Sequence, residues 1–418
     1  MFPLIIFSVV LLLTDLYAFK GFALMLKDLK SGLVRKIFKV TFWIVPLAVI
    51  LSVLWALEVN TGEKDIGIYN SFHYIIGFTV VFYVPKIVFI LFHLVDDLVH
   101  LALKLKNRLR VEKPEKTLPG GEKITRSVFI SRIGLLVAAV PFWGALNGIT
   151  RGRFNFSVIS KKIGFSNLPE AFDGLRIVQI SDLHIGGFRG YYDRLAEATD
   201  LVNSQNPDVV FFTGDLVNNF SSELDGFIEL LGSIRSRHGT FSVLGNHDYG
   251  DYFQWSSKEA KEKNMAELLE AKEKMGFKLL NNSSQILSKG GSKIAIIGVE
   301  NWGLPPFPQY GDLHKAMEGT DDCDFRMLLS HDPTHWDEEV LNKTGIELTF
   351  SGHTHGMQFG IERGNIKWSP IQRMYPRWAG LYKENGQYLY VNRGLGYTGF
   401  PGRIGMPPEI TVIDLARL

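Results

Sequence analysis

Cysteine is nearly absent from this chain of 418 residues, in which Cys323 is the single example. One cysteine cannot form an intramolecular disulfide, and it cannot supply the thiolate set of a structural zinc site. The composition therefore suits either a cytosolic protein or an exported bacterial domain that does without disulfides.

A strong charge of either sign is also missing, since the formal net charge is +2. No basic run with interleaved aromatic residues suggests a groove for DNA or RNA. No segment recurs at a fixed period, which argues against a repeat architecture. We therefore expect no nucleic-acid partner and no solenoid.

Long apolar runs are present, and they are concentrated before about residue 150. A membrane-spanning helix needs about 20 apolar residues, and four runs are close to that length: 2–19, 38–57, 73–95 and 127–147. These runs predict a membrane domain over 1–147 with about four spanning helices. Lys86 lies inside the third run, where an ionisable residue is a functional candidate. The alternative is a residue that snorkels to the interface or pairs with another charge, for which Asp15 is the candidate.

The loops between these runs differ in their content of Lys and Arg. The first and third loops are rich in both, whereas the loop around 58–70 contains only Lys64. Positive loops stay in the cytoplasm. The pattern predicts a multi-pass protein of a bacterial-type cell membrane, with everything after residue 148 outside the cytoplasm.

The second half of the chain has the composition of an α/β domain. Residues 148–172 lack a long apolar run and are predicted to be a linker, followed by a domain over 173–418. Helical patterns are present near 190–205, 221–236 and 257–275, and strands alternating with helices indicate a layered α/β fold. Short apolar runs predict strands at 175–181, 208–214, 239–245, 292–299, 325–330, 346–352, 387–394 and 409–415.

Polar residues follow five of these strands. The motifs are Asp182-Leu183-His184, Gly214-Asp215, Gly245-Asn246-His247-Asp248, His331-Asp332 and Gly352-His353-Thr354-His355. Ligands bind outside the carboxyl ends of strands in open α/β sheets. Carboxylate, imidazole and amide oxygen without thiolate suit Mn²⁺, Fe, Zn²⁺ or Mg²⁺. Two such ions about 3.5–4 Å apart can stabilise both the attacking and the leaving oxygen of an in-line displacement at phosphorus. This arrangement needs one carboxylate that reaches both ions.

The order of these motifs over 175–418 resembles the calcineurin-like metallophosphoesterase superfamily. The resemblance implies a four-layer α-β-β-α sandwich, with two sheets face to face and helices outside. It also implies two divalent metal ions: the first held by Asp182, His184 and His355, the second by Asn246, His331 and His353, with Asp215 bridging them.

The resemblance further implies a hydrolytic mechanism. The ions lower the pKa of a bridging water, so that hydroxide attacks phosphorus near neutral pH. His247 matches the histidine that protonates the leaving oxygen, and Asp248 of the same motif is predicted to be catalytic with it. Many members have a second aspartate where this chain has Asn218, which puts a carboxylate–histidine pair in doubt.

The carboxyl-terminal block resembles a subgroup of transmembrane or twin-arginine-exported metallophosphoesterases. Arg393 and Arg403 lie in this block, and arginine suits bidentate phosphate binding. A surface salt bridge is the alternative for each. The aromatic and basic segment 368–378 is either a packed loop or a lid that touches the membrane interface, where Trp and Tyr are favoured.

The expected function is hydrolysis of a phosphomonoester or phosphodiester by a membrane-anchored enzyme, with a lipid-linked substrate preferred. One alternative is a UDP-2,3-diacylglucosamine pyrophosphatase of lipid A synthesis, to which the subgroup is similar. That substrate is cytoplasmic, so the predicted topology disfavours it. The other alternative is a non-catalytic membrane receptor or auxiliary protein with a relic domain, which the complete ligand set disfavours.

Overall fold

The computed structural model describes residues 2–27, 29–59, 66–109, 125–364 and 366–418. The chain divides into two compact units, Met1–Asn147 and Gly148–Leu418. We describe each unit separately and call them the helical unit and the sheet unit.

Four helices make up the helical unit, and each is long and apolar enough to cross a membrane. Most of the second and third connecting loops, on which the predicted orientation depends, lie outside the described residues at 60–65 and 110–124. The helices are α1 (Phe2–Leu26), α2 (Gly32–Val59), α3 (Ile66–Leu109) and α4 (Arg126–Thr150).

Lys86 and Asp15, which lie inside the apolar runs of the helical unit, form an ion pair with each other. Lys86 Nζ lies 2.6 Å from an Asp15 carboxylate oxygen, and the Tyr83 hydroxyl donates to the other oxygen at 2.7 Å. Asp15 is fully buried. Because an unpaired charge inside an apolar helix bundle is costly, this contact accounts for both ionisable residues. The predicted pairing of Lys86 with Asp15 is confirmed.

Two six-stranded sheets form the sheet unit, in the orders β1-β14-β2-β3-β4-β5 and β12-β13-β9-β8-β7-β6, with β10 and β11 as a separate hairpin. The strands are β1 (Ser157–Phe165), β2 (Arg176–Ile180), β3 (Val209–Phe212), β4 (Thr240–Ser242), β5 (Phe277–Leu279), β6 (Ser283–Lys289), β7 (Ser292–Gly298), β8 (Phe325–Leu329), β9 (Leu348–Ser351), β10 (Ile361–Arg363), β11 (Ile366–Trp368), β12 (Gly380–Glu384), β13 (Gln387–Val391) and β14 (Glu409–Arg417).

Most neighbouring strands within each sheet are parallel. In the first sheet β2, β3, β4 and β5 run parallel, and in the second β13, β9, β8 and β7 do. Their continuous apolar runs, such as the fully buried Val209–Phe212, are typical of strands covered on both faces. The parallel arrangement brings the carboxyl ends of several strands to one edge of each sheet.

Three apolar layers hold the sheet unit together. The layer between the sheets contains Phe211, Phe241 and Phe350. The outer face of the first sheet packs against helices α5 (Tyr192–Ser204), α6 (Ile228–Gly232) and α7 (Lys258–Lys274). The outer face of the second packs against α8 (Leu313–Ala316) and the helical turn Trp336–Val340. The predicted four-layer α-β-β-α architecture is therefore present.

The structure differs from the sequence prediction most clearly at 148–172. Instead of a linker, Ser157–Phe165 forms the edge strand β1, which pairs in parallel with β14 over nine residues. Its sequence SVISKKIGF has two adjacent lysines and a mostly exposed face, so it lacks the apolar run that marks a central strand. The predicted helix over 221–236 is also broken, since a 3-10 turn over Ser221–Leu224 precedes the short α6.

Candidate metal centre

The residues of the five motifs lie together at the carboxyl ends of five strands. Asp182 and His184 follow β2, Asp215 follows β3, and Asn246 follows β4. From the second sheet, His331 follows β8, and His353 and His355 follow β9. Both sheets therefore contribute side chains to one buried region.

Unusual backbone geometry accompanies these side chains. Five of the seven predicted ligands have a positive φ: Asp182, His184, Asp215, His353 and His355. This left-handed region is unfavourable for residues other than glycine, and such residues cluster at functional sites. The turns at the strand ends hold the five side chains against this local cost.

Glycines in the motifs allow the turns to approach one another. A Cβ atom on Gly245 would lie 2.2 Å from Asp215 Oδ1, and one on Gly352 would lie 2.2 Å from Asp182 Oδ2. Neither distance is possible for a real side chain. The glycines of the GNHD and GHTH motifs are therefore required for the carboxylates to occupy their positions.

The first cluster consists of Asp182, His184 and His355. His355 Nε2 lies 3.3 Å from Asp182 Oδ1 and 3.1 Å from His184 Nε2. All three residues are buried, and their donor atoms fall within 4.8 Å of one another. The three residues thus present two nitrogen donors and one oxygen donor close together, which is the arrangement that a divalent ion requires.

The second cluster consists of Asn246, His331 and His353. Asn246 Oδ1 lies 3.1 Å from His331 Nε2 and 2.9 Å from His353 Nδ1. His331 Nδ1 lies 2.7 Å from the carbonyl oxygen of Thr213, to which it donates when protonated there. That hydrogen bond leaves the Nε2 atom of His331 as the ligand atom of the ring.

Asp215 lies between the two clusters. One of its oxygens, Oδ2, is 3.6 Å from His184 Nε2 and 3.2 Å from His331 Nε2. Its other oxygen accepts a hydrogen bond from the His247 backbone amide at 2.9 Å. The carboxylate thus faces both clusters, which is the position that a bridging ligand needs.

The charges of these residues fit a site for cations. Burial alone would raise the pKa of Asp182 and Asp215, but neighbouring histidine rings outweigh it and hold both pKa values well below the usual range. Burial would lower the pKa of His331, yet Asp215 raises it to about 10. Two ionised carboxylates surrounded by imidazoles fit divalent ions that prefer nitrogen and oxygen ligands.

His247 borders both the first cluster and Asp215. Its Nδ1 atom lies 2.9 Å from the Asn218 carbonyl oxygen, to which it donates. Its ring contacts the His184 ring at 4.8 Å and the Tyr252 ring at 4.6 Å between centroids. The hydrogen bond to Asn218 fixes the ring and leaves Nε2 free to give or take a proton.

The predicted catalytic role of Asp248 is not supported by its position. Its carboxylate is fully buried and accepts hydrogen bonds from four backbone amides, those of Gly245, Asp215, Leu216 and Val217, at 2.8–3.3 Å. An acceptor saturated by amides cannot contact a substrate. Asp248 instead positions the loop that contains Asp215.

The predicted phosphate-binding role of the two arginines is also not supported. Arg393 pairs with Glu362 and with Glu409, and it is 4% exposed. Arg403 is 2% exposed and donates to the carbonyl oxygens of Arg393 and Gly396. The alternative, a salt bridge at the surface, is present for Arg393, whose partner Glu362 is 38% exposed, whereas Arg403 forms no ion pair with a residue that the structure describes. Both guanidinium groups bind other groups of the protein and are not directed at a substrate.

Asn218 contributes to the site through its backbone. Its side-chain Nδ2 donates to Glu223 at 2.8 Å, while its carbonyl oxygen accepts from His247. Glu223 is 2% exposed and also accepts from the amides of Asn218, Asn219 and Phe220. Glu223 was missed from the sequence, although its position three residues into the turn 221–224 is that of a capping-box acid.

Two further residues, to which the sequence analysis gives no role at the site, contact the outer nitrogen of His353. Tyr375 places its hydroxyl 2.8 Å from His353 Nε2, and Asp332 Oδ2 lies 3.5 Å from the same atom. Metal-ligating histidines usually donate their second N–H to such a partner. Tyr375 belongs to the aromatic segment 368–378, which therefore reaches the site.

Comparison with known proteins identifies the family of this chain. A family model described as probable calcineurin-like phosphoesterase, transmembrane domain, matches residues 1–153, and a model described as calcineurin-like phosphoesterase matches 175–357. The protein called transmembrane protein with metallophosphoesterase domain is 31% identical in Danio rerio and 30% identical in Bos taurus, over 68% of this chain in both cases. The chain spans 62% and 60% of those two relatives.

A bacterial relative is matched over most of its own length. The uncharacterized metallophosphoesterase YkuE of Bacillus subtilis (strain 168) is 33% identical over 256 residues, which cover 60% of this chain and 82% of YkuE. The chain therefore belongs to the calcineurin-like metallophosphoesterase family, as a multi-pass membrane member.

Proposed function

We propose that this chain is a membrane-anchored phosphoesterase that hydrolyses a phosphomonoester or phosphodiester at a centre of two divalent ions. The observation that supports this most strongly is the position of Asp215, which faces both clusters of nitrogen and oxygen donors. A single mononuclear site would not need a carboxylate placed in this way.

Each cluster has a defined part in the proposed centre. Asp182, His184 and His355 would hold one ion, and Asn246, His331 and His353 the other. When bound, the ions would supply a water of lowered pKa as nucleophile and neutralise charge on the phosphate oxygens. The buried, pre-shaped turns keep the seven ligands in place without rearrangement.

His247 is the proposed proton donor to the leaving oxygen. Its Nδ1 is committed to the Asn218 carbonyl, so a proton on Nε2 is the one that can be transferred. The neighbouring Tyr252 hydroxyl accepts from Asn246 Nδ2 at 2.8 Å. This contact turns the Asn246 amide so that its oxygen points at the second cluster.

The substrate is proposed to be lipid-linked. The helical unit keeps the sheet unit at a membrane surface, where phospholipid and lipid-linked phosphoesters are present at high local concentration. The excess of Lys and Arg in the first and third loops supports an extracytoplasmic position for the sheet unit. Paired carboxyl-terminal reporters, one active only outside the cytoplasm and one only inside, test that side.

A substrate panel on the purified full-length chain tests the proposed activity. The panel contains nitrophenyl and alkyl mono- and diesters and lipid phosphates, each assayed with Mn²⁺, Mg²⁺, Fe²⁺ and Zn²⁺. We expect metal-dependent turnover that Asp215→Asn abolishes, while the exposed variant Asp200→Asn retains it. Bound metal without turnover on the whole panel would favour the non-catalytic alternative instead.

A further inference from the structure

Exposed apolar side chains in the sheet unit are concentrated in one short stretch. Among the described residues from 148 to 418, eleven large apolar or aromatic residues are exposed, and six of them lie between 357 and 374. The six are Met357, Phe359, Ile361, Ile366, Trp368 and Met374. A soluble surface carries such residues singly, whereas a contiguous group marks an interaction surface.

The hairpin of β10 and β11 lies at the centre of this stretch, and every residue of its two strands is exposed. Side chains alternate between the two faces of a strand. Glu362 pairs with Lys367 across the hairpin, and both turn toward the protein. Glu362 contacts Arg393, while Lys367 donates to the Ala379 carbonyl and lies 4.9 Å from the Trp378 ring.

The opposite face of the hairpin is apolar and points outward. Ile361 pairs with Trp368, and Arg363 pairs with Ile366. Ile361 is 54% exposed, Ile366 63% and Trp368 42%. The face that contacts the sheet unit therefore has the charged residues, and the face turned away from it has Ile361, Ile366 and Trp368.

Positive charge borders the apolar face. Arg363 is part of that face, and Arg373 is exposed beside Met374. Neither arginine is in an ion pair with any residue that the structure describes. An apolar surface with an interfacial tryptophan and flanking arginines fits the headgroup layer of a phospholipid bilayer, which is apolar below and negatively charged above.

The hairpin is directly connected to the metal centre. It begins six residues after His355, and Ser369 at its end donates to the Gly356 carbonyl at 2.9 Å. Six residues after Ser369, Tyr375 contacts the Nε2 atom of His353. The hairpin therefore lies in the chain between His355 of the first cluster and Tyr375, which contacts the second.

We propose that the outer face of the β10–β11 hairpin, with Met357, Phe359 and Met374, inserts into the headgroup layer of the membrane to which the chain is anchored. The contact brings the metal centre to phosphate groups at the bilayer surface. Insertion itself does not require catalysis, whereas the use of headgroup phosphoesters as substrates rests on the function proposed above.

A fluorescent probe on the hairpin tests the insertion without any assay of activity. In a Cys323→Ser background, Ile366→Cys is labelled with an environment-sensitive nitrobenzoxadiazole probe, and the full chain is reconstituted into phosphatidylcholine–phosphatidylglycerol vesicles. Tyr192→Cys, at an exposed aromatic position on α5, is the matched control. Met374→Cys provides a second position if the first variant does not fold.

We expect the hairpin probe to shift to shorter wavelength and to be quenched at least twofold more than the control by lipids with a nitroxide near the headgroup. A probe that remains in water, with no shift and no quenching, overturns the proposal. A shifted probe that lipid nitroxides do not quench also overturns it, because the face is then covered by another copy of the chain.

A second measurement tests whether the membrane contact of the hairpin promotes hydrolysis of a substrate in the bilayer. Ile361→Ser with Ile366→Ser is expected to lower turnover of a vesicle-embedded phosphoester several-fold, and to leave turnover of soluble nitrophenyl phosphate unchanged. Equal loss on both substrates contradicts a surface-targeting role. If the chain hydrolyses neither substrate, the proposed function fails, whereas the probe experiment still decides the insertion.

Discussion

The Nε2 atom of His353 lies 2.8 Å from the hydroxyl oxygen of Tyr375, while the Nδ1 atom of the same ring faces Asn246 Oδ1 at 2.9 Å. One nitrogen of the imidazole thus points into the second cluster and the other points to a fixed partner. Such a partner sets the tautomer and the orientation of a metal ligand. Tyr375 is in this sense a positioning residue for the proposed second ion.

Tyr375→Phe is expected to weaken binding of the second ion about 10- to 100-fold, the usual cost of losing a partner of a ligating histidine. The remaining Asp332 oxygen, 3.5 Å from His353 Nε2, limits the loss. Calorimetric titration of the metal-free chain measures it, with Tyr388→Phe as the control. Wild-type affinity for both ions in Tyr375→Phe would exclude the positioning role.

His247→Ala is expected to retain both ions and to lose turnover by about 10²–10⁴-fold on alkyl esters, the range for a general acid. The loss is smaller on nitrophenyl esters, whose leaving group needs no proton. Metal analysis and rates on both ester types measure this, and the exposed His238→Ala is the matched control. Normal rates on alkyl esters would show that His247 is not the proton donor.

Asp248→Asn is expected to destabilise the sheet unit by about 1–3 kcal/mol, the cost of leaving buried amide donors without an acceptor, because the amide nitrogen of Asn cannot accept a hydrogen bond. Loss of the carboxylate also acts on Lys272, which is 1% exposed, because burial lowers the pKa of Lys272 and Asp248 opposes that shift. Adding Lys272→Met should recover part of the loss. Labelling of the buried Cys323 in increasing urea measures stability, and an unchanged midpoint in Asp248→Asn would contradict this role.

Stability is expected to fall as the pH decreases from about 6.5 to about 4, because of His335. Burial lowers the pKa of this residue from 6.5 to about 4, although Asp332 opposes the shift. In that range the unfolded chain binds a proton that the folded chain does not, so the free energy of unfolding decreases by up to about 3 kcal/mol. Above pH 6.5 the contribution is fully present.

The reaction of Cys323 with a dipyridyl disulfide, which proceeds in acid, reports this opening. Cys323 and Trp336 belong to the same apolar cluster beside His335. His335→Gln should flatten the difference between pH 6.5 and 4, while protonation of the metal ligands affects both proteins equally. An identical pH dependence in the two proteins would exclude His335 as the cause.

The sequence was sufficient for the central strands and for the seven proposed ligands, because each lies where a buried apolar run ends. The sequence was insufficient where the local pattern does not show which way a side chain points. The motif that contains Asp248 does not show that its carboxylate turns back onto the amide of Asp215. Likewise, Arg403 resembles a phosphate ligand until its carbonyl partners at Gly396 and Arg393 are seen.

Edge elements were missed for a different reason. Strand β1 is rich in lysine, and β10 and β11 have three residues each, so their periodicity is too short or too polar to be recognised. Their positions depend on long-range pairing, such as that of β1 with β14 at the far end of the chain. Only the folded structure supplies that information.

The bridging position of Asp215 is tested most directly by metal content and magnetic coupling in the purified full-length chain loaded with Mn²⁺. We predict two ions per chain and the electron paramagnetic resonance spectrum of an exchange-coupled pair, which Asp215→Asn removes. One ion per chain, or two uncoupled ions, would contradict the proposed centre.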